Sequence, residues 1–392
     1  MTILGNNNAY TGRPADHPTS GNTVVDNIQK ILNSKKIKYT VLDELFNGRL
    51  VNKDIEFREM NIFIDLQSVI RQLYKPEIMQ QVSSLSERDR IMISSELINI
   101  IGHYRHYFAS RKKMFTNFYY FYSFRPSNYH LNIYPEYRSD YYSKRNNLND
   151  LVYGTLNRII SGNLKITRNI VLYIPKAYFL DTGNIEPTSV PSYIIKNSPK
   201  DHYNMILSND DIFFQDLKYD NTMILEMRGS EKSELIDRFN VIEASLRGTK
   251  KHSSDFPNIG YDSIPIVDGM RKLPIYNTNS ISRRSFSTGY SAIEKLISKG
   301  QIETLKLSDP DYILSLGDIL FNKEDQIESY KNNIKLLNHD IISESTKASM
   351  DKMINSQILD LRNDKELRQV SDKFFEKFPI RLDYAFNGEE NR

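Results

Sequence analysis

Short apolar runs, several of which end in a polar or acidic residue, recur between residues 60 and 210 of the chain. Their length and their content of β-branched and aromatic residues indicate buried strands. We predict four such strands, at Asn61–Leu66, Asn117–Phe124, Asn169–Ile174 and Asn204–Ser208. Helical stretches separate them, and this alternation is typical of a parallel sheet covered on both faces. The predicted fold class is therefore α/β, with a mostly parallel central sheet flanked by helices.

A long helix is predicted before the second of these strands. Ser86, with Asp89 three residues later, has the form of a helix N-terminus. Apolar residues from Ile91 to Phe108 then repeat at helical spacing, so the helix should end near Lys112. Earlier in the chain, a helix and an extended segment at Thr40–Leu42 are expected between Val24 and Asn52.

Aromatic residues fill the second predicted strand, from Phe115 to Tyr122. Exposed aromatic side chains could stack on the bases of a single-stranded nucleic acid. Alternate aromatic residues in a central strand more often belong to a core on both faces of the sheet. We therefore expect this segment to be core.

Composition narrows the class of protein. With 392 residues, 39% hydrophobic and 26% charged, the chain is typical of a soluble globular protein. It has no cysteine, which excludes disulfides and thiolate metal sites and suits a reducing cytoplasm or a virion assembled there. No apolar run approaches the roughly 20 residues that span a bilayer. The net charge of +3 means that any nucleic-acid-binding surface must concentrate its positive charge locally.

Two acids follow predicted strands almost immediately. Asp65 comes at the end of the first strand and Asp210 just after the fourth. Ligands of open parallel sheets gather outside the carboxyl ends of the strands, and two acids there could share a divalent metal. The alternative is that each is a helix cap or a turn residue, which is the commoner role of a single aspartate at a strand end.

The segment Ser208–Gln215 carries a resemblance to a known family. It resembles the motif of the PIN and flap-endonuclease (5'-3' exonuclease) superfamily in which a strand leads to Ser-x-Asp-x-Asp, an apolar pair and Gln. Upstream, Ile185–Val190 is similar to that family's Glu-Ala-Asp-Asp-Val segment, with Glu186 in the place of its glutamate. The resemblance spans roughly residues 60 to 310, and the order of its motifs carries it more than any one of them.

The resemblance implies a depleted metal site. Asp65, Glu186 and Asp210 would be its catalytic and metal-binding carboxylates if the protein is active. Further family aspartates are replaced by residues that bring no carboxylate, namely Ser123, Thr188, Ser189 and Ile212. Two-metal cleavage needs enough carboxylates to hold both cations. The remaining set is therefore expected to hold one Mg²⁺ or Mn²⁺ at most, and we expect little or no nuclease activity.

Basic residues supply candidate nucleic-acid contacts. By resemblance to the family's basic segment before its helical arch, phosphates are expected at Tyr137, Arg138, Lys144 and Arg145. A second basic set comprises Arg283, Arg284 and Lys295, the last in a segment similar to the family's helix–turn–helix region. The alternative for the first set is an ordinary basic surface loop. For Arg283 and Arg284 it is a mobile, solubilising loop, and for the segment that contains Lys295 it is a plain helix.

These features divide the chain into four regions. We predict a flexible arm at 1–23, a nuclease-like α/β core at 24–230, a helix-turn-helix-like nucleic-acid contact region at 231–310 and a helical C-terminal extension at 311–392.

Three functions remain open from the sequence. The leading hypothesis is a degenerate 5'-nuclease-like protein that binds nucleic acid, preferably DNA, or serves as a protein subunit of a viral replication, transcription or virion assembly. The viral source is suggested by abundant tyrosine, asparagine, isoleucine and lysine, a bias typical of AT-rich genomes. The alternatives are an active Mg²⁺-dependent 5'-3' exonuclease or flap endonuclease, and a purely structural virion protein. The expected location is the host cytoplasm or the virion.

Overall fold

The structure is a computed structural model of the chain. It describes residues 26–27, 30, 33–34, 36–47, 58–66, 86–89, 91, 102–122, 127–133, 135, 167–168, 170–171, 176–183, 185–208, 211–219, 221–226, 234–237, 300, 309–320, 322–340 and 342–359.

A six-stranded sheet forms the centre of the protein, in the order β3-β2-β1-β4-β5-β6. Strands β1 to β5 are parallel, and β6 pairs antiparallel with β5 at the edge. This arrangement confirms the predicted fold class. The strands are β1 Arg58–Asp65, β2 Met114–Tyr122, β3 Ala177–Asp181, β4 Tyr203–Leu207, β5 Thr222–Glu226 and β6 Glu234–Asp237.

Helices occupy the connections and the C-terminal part of the described chain. A π-helical segment, Phe108–Lys112, ends the helix before β2, and a 3₁₀ helix, Asp211–Lys218, lies between β4 and β5. The α-helices are α1 Tyr39–Leu45, α2 Asn128–Ile133, α3 Ser189–Asn197, α4 Pro310–Leu320, α5 Glu324–Leu337 and α6 Glu344–Leu359. Within the described ranges, no helix combines the length and the apolar character needed to cross a bilayer.

One face of the sheet carries a continuous apolar core. Side chains from β1 to β5 contact α3, the 3₁₀ helix and α5, while Met353 and Ile354 of α6 pack against the same cluster. The cluster comprises Phe63, Tyr119, Phe121, Leu180, Val190, Ile194, Ile195, Ile206, Phe213, Leu217, Ile224 and Leu336. We call the side of the sheet that carries this cluster the core face. The acidic strand ends described below lie on the same side.

The opposite face is covered by α1 and by the helical residues 102–112. Tyr107 packs between Phe46 and Phe108, with ring centroids 6.0 and 5.1 Å away. Arg105, although buried, places its guanidinium 4.8 Å from the ring centroid of Phe118, where cation–π attraction offsets part of its desolvation. The aromatic second strand is thus core on both faces, as predicted.

Three asparagines form a buried ladder across the core face. Asn117, Asn61 and Asn204 are in register on β2, β1 and β4. Asn117 Nδ2 donates to Asn61 Oδ1 at 3.1 Å, and Asn61 Nδ2 donates to Asn204 Oδ1 at 3.0 Å. A slip of one residue would turn each strand's side chains to the other face and break the ladder. The ladder therefore specifies the register of the three central strands.

Two predicted segments are wrong. Ile170 and Val171, expected in the third strand at Asn169–Ile174, are helical, and the strand follows at Ala177–Asp181. A short apolar run cannot be assigned to strand or buried helix by periodicity alone. The expected extended segment Thr40–Leu42 lies inside α1, where burial of Leu42 outweighs the weak strand preference of its neighbours.

The other predicted elements are confirmed with small shifts. The first, second and fourth strands begin one to three residues earlier than expected. Ser86 and Asp89 form a capping box: the backbone N–H of Asp89 donates to Ser86 Oγ at 3.2 Å, and that of Ser86 donates to Asp89 Oδ2 at 3.0 Å. The helix ends at Lys112, followed by a left-handed Lys113.

Candidate functional site at the carboxyl edge of the sheet

Asp65 ends the central strand, at the place where the strand order reverses. From β1 the chain adds β2 and β3 on one side and β4 and β5 on the other. The reversal lies between β1 and β4, and open parallel sheets bind their ligands outside the carboxyl ends of the strands at such a point. Asp65 thus occupies the predicted position at this edge.

Ser208 contacts Asp65 directly. It follows β4, and its Oγ donates a hydrogen bond to Asp65 Oδ2 at 2.9 Å. The serine is fully buried and the aspartate is 6% exposed. A hydroxyl donor to a buried carboxylate stabilises the charged form. The structure thus brings together two residues that the sequence motifs had named separately.

Glu186 lies at the same edge, in the loop that follows β3. The end of β3 is tied to the end of β2, because Thr182 donates from both its backbone N–H and its Oγ1 to Tyr122 O at 3.1 Å. The backbone N–H of Ile185 in turn donates to Thr182 O at 2.8 Å. Glu186 is 3% exposed and stands just before α3, whose N-terminus favours a negative charge.

Thr188 and Ser189 direct their hydroxyls toward Glu186. Thr188 Oγ1 donates to Glu186 Oε1 at 3.5 Å, and Ser189 Oγ donates to Glu186 O at 2.7 Å. Both side chains are buried. These are the positions where the family resemblance expects aspartates. The hydroxyls found there take part in local hydrogen bonds and bring no charge to the edge.

Glu226 is a further acid at this edge that the sequence analysis missed. It ends β5, and it is 2% exposed. Leu207 pairs with Leu225, so the next residues, Ser208 and Glu226, are neighbours on adjacent strands. Alternation of side chains puts Asp65, Ser208 and Glu226 on the core face. The signal was present in the sequence, because Thr222–Glu226 is an apolar run ended by an acid, as is the segment ending at Asp65.

The spacing of these acids bears on metal binding. Asp65 and Glu226 are two strands apart, which corresponds to roughly 9.5 Å between their backbones. Glu186 follows β3, and β3 is two strands from β1 on the side opposite β4 and β5. In the part of the chain that the structure describes, no three carboxylate, histidine or cysteine side chains converge on one point that could hold a metal ion. The described acids alone do not form a two-metal centre.

The remaining predicted site residues lie outside the described residues. They are the third predicted carboxylate and both basic sets, namely Asp210, Tyr137, Arg138, Lys144, Arg145, Arg283, Arg284 and Lys295. Asp210 is two positions after Ser208 in the chain.

Comparisons with known proteins give structural likeness only. No family model and no curated protein matches the chain. Among solved structures, the chain is similar to a bacteriophage T5 protein co-crystallised with metal ions, at 12% identity, with 81% of this chain and 98% of that chain covered and a TM-score of 0.45. It is also similar to the T5 5'-exonuclease with bound zinc, at 12% identity, 81% and 98% coverage and a TM-score of 0.46.

A third structure is the bacteriophage T5 flap endonuclease in a pseudo-enzyme–product complex with DNA and metal ions. It shares 12% identity with this chain, over 80% of this chain and 99% of that one, at a TM-score of 0.41.

Proposed function

We propose that this protein binds nucleic acid at the carboxyl edge of its sheet and is impaired in two-metal phosphodiester cleavage. The observation that carries the proposal is the position of Asp65, buried at the point where the strand order reverses and held there by Ser208. A buried acid at such a point is costly to maintain. Its presence is easier to understand as part of a binding site than as part of a core.

Positive charge supports nucleic acid as the ligand. The basic residues Arg138, Lys144 and Arg145 follow α2, which begins just after β2 at the carboxyl edge. Arg283 and Arg284 add a second pair elsewhere in the chain. With a net charge of only +3, affinity for a phosphate backbone must come from such local concentrations. The aromatic strand β2 contributes no stacking surface, because its side chains are largely buried.

The impairment follows from the ligand set. Hydrolysis by two metal ions requires carboxylates that hold both cations close to the scissile phosphate. Thr188 and Ser189 are neutral and are engaged with Glu186. Asp65 and Glu226 stand on strands separated by β4. This set does not supply the ligands for two-metal cleavage, and contacts to the phosphate backbone are assigned to the basic residues instead.

Binding can be tested by fluorescence anisotropy with flapped and single-stranded DNA over a salt series. We expect salt-sensitive binding that is at least about tenfold weaker in the double variant Arg283→Glu/Arg284→Glu, because several phosphate contacts become repulsive. The matched control is Lys113→Glu/Lys200→Glu, which changes the net charge equally but at exposed positions next to the opposite edge. An equal loss of DNA affinity in both double variants would overturn the proposal. Absence of DNA binding by the unmodified protein at low salt would also overturn it and would favour a structural protein.

Cleavage is the second arm of the test. Incubation of the same flapped DNA with Mg²⁺ or Mn²⁺ should yield no products. Asp65→Asn is the informative variant, because the amide oxygen can still accept the hydrogen bond from Ser208 while the charge is lost. Products that form with the unmodified protein and disappear in Asp65→Asn and Asp210→Asn would show an active nuclease instead.

A further inference from the structure

The two last described helices, α5 and α6, share the core of the sheet. We call them, together with residues 338–340 that follow α5, the C-terminal helix pair. Leu336 of α5 belongs to the core cluster and is 4% exposed, while Met353 and Ile354 of α6 pack against the same cluster. The pair therefore covers the face of the sheet that carries Asp65.

The turn after α5 is bound to the 3₁₀ helix that follows β4. The backbone N–H of His339 donates to Gln215 Oε1 at 2.9 Å. Its Nδ1 donates to the carboxylate of Asp216, at 3.0 Å from Oδ1 and 3.2 Å from Oδ2. Asp216 is fully buried and His339 is 6% exposed. Tyr219 adds a hydrogen bond from its hydroxyl to Asp340 Oδ1 at 3.1 Å.

The contact between His339 and Asp216 is costly to break, because the carboxylate of Asp216 is buried. Removing the hydrogen-bond donor of a buried carboxylate leaves that group without its partner, which costs more than losing an exposed hydrogen bond. Asp216 is six residues beyond Asp210 along the chain. The contact of His339 with Asp216 therefore helps to fix the 3₁₀ helix, which begins at Asp211.

The same helix pair contacts the segments that follow the other two strands. Nε2 of His130, in α2 after β2, donates to the backbone carbonyl of Leu336 at 2.8 Å. The hydroxyl of Tyr193, in α3 after β3, donates to Asp351. Each of the three connections that begin at the carboxyl ends of β2, β3 and β4 is thus hydrogen-bonded to the C-terminal helix pair.

We propose that the C-terminal helix pair positions the carboxyl-edge connections, with His339 as the main positioning residue. A separable helical extension would be expected to contact one surface element, whereas this pair contacts the connections that follow β2, β3 and β4. The consequence for nucleic-acid binding rests on the function proposed above. The positioning itself does not depend on that function.

Hydrogen–deuterium exchange of the full chain tests the positioning directly. In His339→Ala we expect peptides covering residues 203–219 to exchange at least about tenfold faster, since a tenfold change corresponds to about 1.4 kcal/mol of local opening. Peptides from α1 should be unchanged. His339→Asn should restore slow exchange, because its amide nitrogen can replace Nδ1 as a donor to Asp216. A uniform increase over the whole sheet, or no rescue by asparagine, would overturn the proposal.

Two further variants complete the design. Lys331→Ala is the matched control, because Lys331 of α5 contacts Asp318 of α4 at 2.9 Å and does not reach the edge. Tyr219→Phe keeps the ring and removes the hydroxyl that bonds Asp340 and Ser192, so it tests the same turn if His339→Ala fails to fold. We expect faster exchange at residues 203–219 in Tyr219→Phe and no change in Lys331→Ala, and the reverse order would contradict the inference.

DNA affinity separates this inference from the proposed function. If the unmodified protein binds DNA, His339→Ala should weaken binding at least about threefold and His339→Asn should restore it. Unchanged affinity together with faster local exchange would remove the link between the helix pair and the binding site. If the unmodified protein binds no DNA, the proposed function fails, and the exchange measurements alone decide whether the helix pair positions the edge.

Discussion

Replacement of Asn61 by alanine should destabilise the protein substantially, because Asn61 is the central member of the asparagine ladder. Its side chain is 1% exposed and makes two hydrogen bonds, to Asn117 and to Asn204. Asn204 is 3% exposed, so its Oδ1 would lose this donor in the interior. Asn117 is partly compensated, since its Nδ2 also donates to Glu59 at 3.0 Å.

The size of the effect follows from these contacts. A buried polar group that loses its partner costs about 1 to 3 kcal/mol, and a typical net hydrogen bond contributes about 1 kcal/mol. With Asn204 uncompensated and Asn117 compensated in part, we expect Asn61→Ala to lower the free energy of unfolding by about 2 to 4 kcal/mol. That is a large share of the stability of a typical domain, about 5 to 15 kcal/mol.

Urea unfolding followed by circular dichroism measures this difference through the shift in midpoint. The matched control is Asn197→Ala, because Asn197 is exposed and its Nδ2 donates only to Tyr193 O within its own helix, at 2.8 Å. The control should change stability by less than about 0.5 kcal/mol.

A double-mutant cycle tests the ladder itself. Asn61→Ala and Asn204→Ala remove the two ends of one hydrogen bond, so the double variant should lose at least about 0.5 kcal/mol less than the sum of the single losses. Strictly additive losses, or an Asn61→Ala variant as stable as the control, would refute the view that the ladder stabilises the pairing of the central strands.

Two other predictions concern pH and backbone conformation. Burial raises the pKa of Tyr104 and of Tyr120 well above the usual range. Their contribution to stability is therefore complete below about pH 10. Above that pH the unfolded chain loses these protons more readily than the folded chain, so stability falls by about 1.4 kcal/mol per pH unit for each group. Urea midpoints should therefore fall steeply above about pH 10, and a flat profile would contradict the burial of these hydroxyls. Lys113 is exposed and adopts a left-handed conformation with φ 55°, which costs a residue with a side chain about 1 kcal/mol. Lys113→Gly should accordingly raise the free energy of unfolding by about 0.5 to 1 kcal/mol. Asn221→Gly should be close to neutral, because asparagine tolerates φ 58° and its Nδ2 donates to Lys200 O. A loss of stability in Lys113→Gly would count against this reasoning.

Two properties of the carboxyl edge are separate, namely where its acids stand and how many carboxylates it offers. Asp65 stands at the strand-order reversal, and Ser208 lies beside it. Around Glu186, hydroxyl groups occupy positions where the family resemblance expects carboxylates. The sheet sets the positions, whereas the capacity to bind a metal depends on the individual side chains. The tests of binding and of cleavage are therefore independent of each other.

The amino-acid sequence by itself determined the fold class, three of the four predicted strands and the acid at the end of β1. This was possible because buried parallel strands consist of short apolar runs, and an acid at the end of such a run indicates the carboxyl edge. The capping box at Ser86 and Asp89 could also be predicted from the sequence, because both partners lie within one helical turn.

Only the tertiary structure decided which distant residues meet. The pairing of Asp65 with Ser208, the register that brings Glu226 beside them, and the contact of His339 with Asp216 all join positions far apart in the chain. Local periodicity carries no information about strand order or about which helix covers which connection. Those choices are made by side-chain packing across the sheet and by the need to satisfy buried polar groups.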